Sequence, residues 1–273
     1  MAAAMEVRQA GIEAEVRPLT LHLPGSEGGE ASEAVNAYLA RGEGGAVLVD
    51  CGPGSTVDQL LAALGDATSE VRALLLTHIH LDHGGAAGEL SRRYSWPVFV
   101  HARGAPHLTR PERLLRSARS IYGEAFDRLW GAFEPVPAEN LRPLQGGETL
   151  QLAGLAFGTL ATPGHAVHHL AYTLGREVFC GDVAGIRVPD VQAVIAPTPP
   201  PDINVEQWLE SLDLIAAYQP ARLHLAHVGS FEDVSWHLDA LRAALNAAAE
   251  AVRDGLRAGE DRDAMAARLE ALL

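Results

Sequence analysis

Lysine is absent from this chain. All 21 basic residues are arginine, and 35 acidic residues leave a formal net charge of −14. Nucleic-acid binding depends on clustered cations that neutralise phosphates, so this balance argues against a polyanionic partner. Cysteine is scarce as well. Cys51 and Cys180 are too few for a disulfide framework, and two buried free thiols in a reducing compartment are expected. No apolar run approaches the ~18 residues needed to span a bilayer, so no membrane partner is expected. The start, Met1 to Glu6, lacks the basic region and long apolar segment of a secretory signal, which makes the cytoplasm the expected location. Abundant Ala and Gly beside the missing lysine suggest a GC-rich bacterial coding sequence. At 273 residues the chain can bury a sizeable core and sits at the upper end of a single domain, here expected over 1–273.

Against these absences stands one dense cluster. Thr77-His78-Ile79-His80-Leu81-Asp82-His83 packs four metal-capable side chains into six positions. The apolar run Val71 to Thr77 before it has strand length, and Gly84-Gly85 followed by Ala86 to Arg93 reads as a helix start. The cluster therefore falls on a strand-to-helix turn at a strand's carboxyl end, where sites in layered α/β folds are built. In an extended segment His78 and His80 point the same way, while Asp82 and His83 come later and face a second point. Two imidazoles for one ion, and a carboxylate plus an imidazole for its neighbour, is chemistry of the Zn, Mn or Fe type.

Four further segments accompany it in order. They are Val47-Leu48-Val49-Asp50-Cys51-Gly52, Thr162-Pro163-Gly164-His165, Phe179-Cys180-Gly181-Asp182 and His227-Val228-Gly229. With HxHxDH, this series resembles the metallo-β-lactamase superfamily over roughly residues 35–229. Glyoxalase II (hydroxyacylglutathione hydrolase) and acyl-homoserine lactonase are among the relatives it is similar to. The resemblance implies an α/β fold, a four-layer αββα sandwich, with two divalent metal ions, zinc by default and Mn or Fe also suited. It assigns His78, His80 and His165 to the first ion and Asp82, His83 and His227 to the second, with Asp182 bridging. A second relative, the persulfide dioxygenases, would instead hold one iron through His78, His165 and Asp182.

The wider pattern fits two βα halves. Strands are expected at 19–23, 35–39, 46–49, 71–76 and 98–100, then at 149–152, 155–160, 169–174, 177–180 and 222–225. Helices are expected at 55–64, 84–94, 205–218 and 231–249, with a further surface helix in the tail 251–273. Residues 102–142 look inserted. Thr109 and Pro111 offer an N-cap and a first-turn proline, and Leu114 to Phe133 carry apolar residues at helical spacing. This helical insertion reads equally as a cover for the sheet edge or as a lid whose Tyr122, Phe126, Trp130 and Phe133 wall a substrate; the alternative to the lid is a homodimer element.

The expected chemistry is hydrolysis. Paired ions bring hydroxide to neutral pH, and it attacks an ester, thioester or lactone carbonyl of a small-molecule substrate. Asp182 must be ionised between cations, and Asp82 serves as a ligand that could relay a proton. Asp50 either orients an imidazole or the nucleophilic water, or caps the turn before Gly52. His169 is expected beside the site without ligating, and His224 is the rival of His227. Gly185 stands where the lactonases place a tyrosine, so a helping phenol would have to come from Tyr122. Arg187 could clamp a substrate anion or lie solvated on its loop.

Overall fold

Two six-stranded sheets face each other. The computed structural model describes residues 14–25, 34–188 and 191–272. The first sheet carries β1 (Glu15–His22), β2 (Ala34–Gly42), β3 (Gly45–Val49), β4 (Val71–Leu75), β5 (Val98–His101) and β6 (Leu141–Leu144) in that spatial order. Strands β1 to β3 pair antiparallel, whereas β3 to β6 run parallel. Parallel neighbours need crossovers. These are α1 (Val57–Leu64) before β4, then α2 (Leu81–Gly84) and α3 (Ala87–Tyr94) before β5. The segment before β6 holds α4 (Ala105–Thr109), α5 (Glu112–Tyr122) and α6 (Phe126–Trp130).

The second sheet contains β7 (Thr149–Leu152), β8 (Leu155–Ala161), β9 (Leu170–Leu174) and β10 (Glu177–Gly181). A separate hairpin, β11 (Ile186–Val188) with β12 (Ala193–Ile195), leads to α7 (Val205–Ala217). Strands β13 (Arg222–Leu225) and β14 (Ser230–Phe231) complete the sheet beside β10, and α8 (Val234–Ala258) and α9 (Arg262–Glu270) follow.

Period-two alternation assigns the layers. In β3, Ala46 and Leu48 join the core shared with Leu60 of α1 and Leu90 of α3. Val47 and Val49 point the other way, into the core between the sheets, with Tyr172 and Phe179 of the second sheet. On the far side, Val178 and Cys180 of β10 meet Trp208 and Leu212 of α7 and Leu241 of α8. The result is helices, sheet, sheet, helices. Both cysteines are buried and free, and among the described residues no helix is long and apolar enough to cross a membrane.

Hydrogen bonds between the sheets gather strand ends at one rim. Leu170 N donates to Thr77 O at 2.8 Å, Asn36 N to Ala226 O at 2.6 Å, and the Tyr172 hydroxyl to Leu76 O at 2.9 Å. Inside 102–142 the expected long helix is divided. Thr109 closes α4, with its hydroxyl on Pro106 O, and Pro111 is the N-cap of α5. Gly123 and Gly131, at φ +53° and +64°, then end α5 and α6 in a conformation only glycine adopts cheaply. Ala118, Phe126 and Trp130, with Leu114 and Phe133, pack around Leu81 of α2, so the insertion is anchored on the helix that carries Asp82 and His83. The tail differs as well: α8 runs through to Ala258, and α9 starts anew with Asp261 capping Ala264 N at 2.9 Å. Strands β6, β11, β12 and β14 were not anticipated, since two to four residues carry too little alternation to read.

Candidate metal centre

The site begins where β4 stops. After Leu76 the chain bends at Thr77, and His80 holds φ −60°, ψ 154° before α2 begins. Ile79 turns into the helix-side core. His78 and His80 turn the other way together, with His78 Nε2 and His80 Nδ1 2.9 Å apart. His165, on the loop after β8, brings its Nε2 to 3.1 Å from the same His80 nitrogen. That loop depends on Gly164, at φ +134°, where a Cβ would lie 2.3 Å from the Trp208 Cα. Asp182, at the end of β10, completes a first group with His78, His80 and His165; Asp82, His83 and His227 form a second.

Asp182 faces both groups. Its Oδ2 lies 3.3 Å from His165 Nε2 and 3.9 Å from His78 Nε2. Its Oδ1 lies 3.4 Å from His83 Nε2 and 3.6 Å from His227 Nε2. Asp82 Oδ2 approaches the latter two nitrogens at 3.3 and 3.6 Å.

Hydrogen bonds on the far side of each ring set the tautomers. His165 Nδ1 donates to Pro197 O and His227 Nδ1 to Ala34 O, both at 2.9 Å. A carbonyl can only accept, so each Nδ1 carries the proton and each Nε2 presents a lone pair inward. Asp50 governs two more rings. Its Oδ2 accepts from His83 Nδ1 at 3.2 Å and from the Thr77 hydroxyl at 2.8 Å. With its proton committed there, Thr77 Oγ1 can only accept from His78 Nδ1 at 3.1 Å, which leaves His78 Nε2 free. His169 stays outside the ligand groups. Its Nδ1 donates to Thr162 Oγ1 at 2.8 Å and its Nε2 accepts from the Asp182 backbone N–H at 3.3 Å, fixing the strand end that aims the carboxylate.

Charge follows the same geometry. Burial keeps His78 and His169 well below the ordinary histidine pKa, and burial together with His165 lowers His80 to about 3. Burial works against ionising Asp82 and Asp182, yet His83 beside both outweighs it, taking Asp82 down to about 2 and Asp182 well below its usual range. Burial likewise opposes charge on His83, but Asp82, Asp182 and Asp50 raise it well above its ordinary value. The centre attracts positive charge. The inward lone pairs of His78, His165 and His227 and two carboxylates meet around His83, and Asp182 Oδ1 is buried with no hydrogen-bond partner. Unpaired buried acceptors are costly, and mixed N/O donors of this kind fit divalent metal ions.

A cleft of about 560 Å³ opens onto His80, Asp82, Asp182 and His227. Tyr122 and Trp130 line it and meet edge to face at 5.0 Å, whereas Phe126 and Phe133 belong to the packing around Leu81. Pro197, Pro199, Pro200 and Pro201 line it as well. Arg187 is placed elsewhere. Its guanidinium bonds Asp233 at 2.8 Å and stacks at 4.5 Å on both Phe231 and Trp236, so it is neither at the cleft mouth nor simply solvated. His224 lies between the sheets, stacked 4.7 Å from Phe179 and bonded to Ser230 and Glu177, and does not join the cluster. Sequence reasoning missed Thr77, although it directly precedes the histidine run, and His168, which is buried and lines the cleft.

Residues 32–227 match the family model of the metallo-beta-lactamase superfamily. The chain belongs to that superfamily. Within it, the chain is 28% identical over 203 residues to the metallo-beta-lactamase fold-containing protein ST1585 of Sulfurisphaera tokodaii, covering 73% of this chain and 75% of that one. The crystal structure of ST1585, from Sulfolobus tokodaii, superposes with a TM-score of 0.70 at 27% identity, covering 84% of this chain and 85% of the other. The hydroxyacylglutathione hydrolase of Aeromonas hydrophila is 31% identical over 145 residues, 53% of this chain and 44% of that protein. The atrochrysone carboxyl ACP thioesterase of Aspergillus fumigatus is 28% identical over 164 residues, 59% of this chain and 43% of that enzyme. The match thus spans less than half the length of these two relatives.

Proposed function

We propose that the protein is a hydrolase holding two divalent ions, zinc by default with manganese or iron as fitting substitutes, that cleaves an acyl thioester, ester or lactone of a small molecule. The two-sided placement of Asp182 carries this reading. One carboxylate oxygen faces His78 and His165 while the other faces His83 and His227, the arrangement expected of a bridge. When bound, such a pair of ions makes hydroxide available at neutral pH and polarises a carbonyl.

The chain's own residues do the rest. Asp50, Thr77, Pro197 O and Ala34 O hold four imidazoles in the tautomer that points Nε2 inward. Asp82 is ionised and lines the cleft, where it can relay a proton towards a leaving group. Tyr122 and Trp130 supply an apolar wall for an acyl group. The relatives named for hydroxyacylglutathione and for an acyl-carrier thioester favour thioesters as the first substrates to try.

The test is metal analysis of the purified protein with stoichiometry, followed by a panel of thioesters, esters and lactones. Two ions per chain and turnover of an acyl compound are expected. One iron per chain, unaffected by Asp82→Ala or His227→Ala, would overturn the two-ion reading in favour of a mononuclear centre on His78, His165 and Asp182.

A further inference from the structure

The cleft wall carries basic residues that the proposed hydrolysis does not use. Arg103, on the turn entering α4, and Arg113, in the first turn of α5, both line the cleft, with His107 of α4 between them in the chain. Ser117 lines it too, four residues after Arg113 and so on the same face of α5. Half of the described arginines are ion-paired, as Arg119 is with Asp127 and Arg92 with Glu134. Arg103 and Arg113 differ. Among the described residues neither side chain has an ion-pair or hydrogen-bond partner, and Asp202, the acidic residue on the cleft's outer rim, is paired with neither.

A net charge of −14 repels anions over the surface as a whole. Two uncommitted guanidiniums on the wall of one cleft oppose that field locally, on a lining that also carries Asp82, Asp182 and Asp202. Guanidinium presents a planar fork of donors that matches carboxylate and phosphate oxygens. Nothing in the packing requires them there, since the apolar contacts of the insertion run through Leu114, Ala118, Phe126 and Trp130.

We propose that Arg103 and Arg113 recognise an oxyanion, a carboxylate or a phosphate, on the substrate at the end remote from its scissile carbonyl. The substrate is then an anionic acyl compound. Its apolar acyl part lies along Tyr122 and Trp130, and its charged part lies against α4 and α5. This rests on the hydrolase reading for which bond is cleaved, but not for what is bound.

The experiment therefore measures binding as well as turnover, on the metal-replete full chain. Calorimetry would use three non-hydrolysable thioethers of one acyl chain, ending in a carboxylate, a phosphomonoester or a neutral amide, alongside the matching thioesters in a kinetic assay. Arg103→Gln/Arg113→Gln is compared with Arg116→Gln, an exposed α5 residue off the cleft. The wild-type protein is expected to bind one charged thioether at least about tenfold more tightly than the amide, a preference lost in the double variant and weakened by salt. The better of the carboxylate and phosphate ligands identifies the group. In turnover, the double variant should raise KM for the charged thioester and leave kcat and the neutral thioester unchanged. Equal binding of charged and neutral thioethers, or equal affinity in wild type and double variant, overturns the anion site whatever the turnover. Selective binding that Arg103 and Arg113 control, without hydrolysis of any thioester, ester or lactone in the panel, keeps the anion site and removes the hydrolase reading.

Discussion

Asp50 accepts the Thr77 hydroxyl at 2.8 Å, and that bond decides which nitrogen of His78 is available to a metal. The same carboxylate oxygen accepts from His83 Nδ1 at 3.2 Å. One buried acid on β3's exit thus aims an imidazole in each of the two donor groups. Asp50, at φ +56°, reaches across β4's end, where its other oxygen accepts from Thr77 N at 2.8 Å.

Thr77→Val should therefore weaken metal binding without unfolding the protein. The variant keeps the β-branched shape but leaves Asp50 Oδ2 with His83 Nδ1 as its one side-chain donor and frees the His78 ring to flip. Loss of such an outer partner costs about 10- to 100-fold in metal affinity. Competition with a chromogenic chelator reads it, and Thr77→Ser should restore most of the affinity. Wild-type affinity in Thr77→Val would show that the hydroxyl does not set the tautomer.

Asp182→Ala should abolish hydrolysis and reduce the metal content. It removes the one carboxylate, among the described residues, whose two oxygens address both groups. Circular dichroism and the melting transition should still show a folded protein, because the residue sits at a strand end, outside the apolar cores. A variant that kept most of its activity would remove Asp182 from the catalytic set.

Gly164→Ala should be destabilising out of proportion to one methyl group. The new Cβ would meet the Trp208 Cα at 2.3 Å, in a conformation L-residues avoid. Relief requires moving either α7 or the loop bearing His165, so both the melting temperature and metal retention should fall. A drop of several degrees is expected, about 2 °C for each kcal/mol in a chain of this size. An unchanged melting curve would mean that the loop yields without cost.

Glu177 supports a pH prediction away from the metal centre. Its hydrogen bond with His224, at 2.6 Å, is the main cause that holds its pKa below the ordinary glutamate value. A carboxyl depressed on folding stabilises the native state above its unfolded pKa, and that stabilisation is lost as pH falls through the folded value. Glu177→Gln should therefore melt lower than wild type from pH 7 down to about 5, with the gap closing below about 4. A gap independent of pH would show that the charge contributes nothing.

Much of this protein can be read along its chain, because the deciding contacts are local. The spacing of His78 and His80 places both rings on one side of an extended segment, and a two-residue period needs no knowledge of the rest of the molecule. The apolar runs at 46–49 and 71–76 likewise marked strands by their length alone. The positions of His165, Asp182 and His227 were also visible, as short motifs at strand ends. Their convergence was not, since it arises from two sheets that meet through Leu170 and Thr77 and through Asn36 and Ala226. Tertiary structure alone decided the finer matters. It gave Arg187 to Asp233, Phe231 and Trp236, took His224 into the space between the sheets, and divided the aromatic stripe so that Tyr122 and Trp130 reach the cleft while Phe126 and Phe133 hold the insertion to α2. The physical reason is the same in each case. Helical or strand periodicity states which face of an element is apolar, but what that face meets depends on partners far away in sequence.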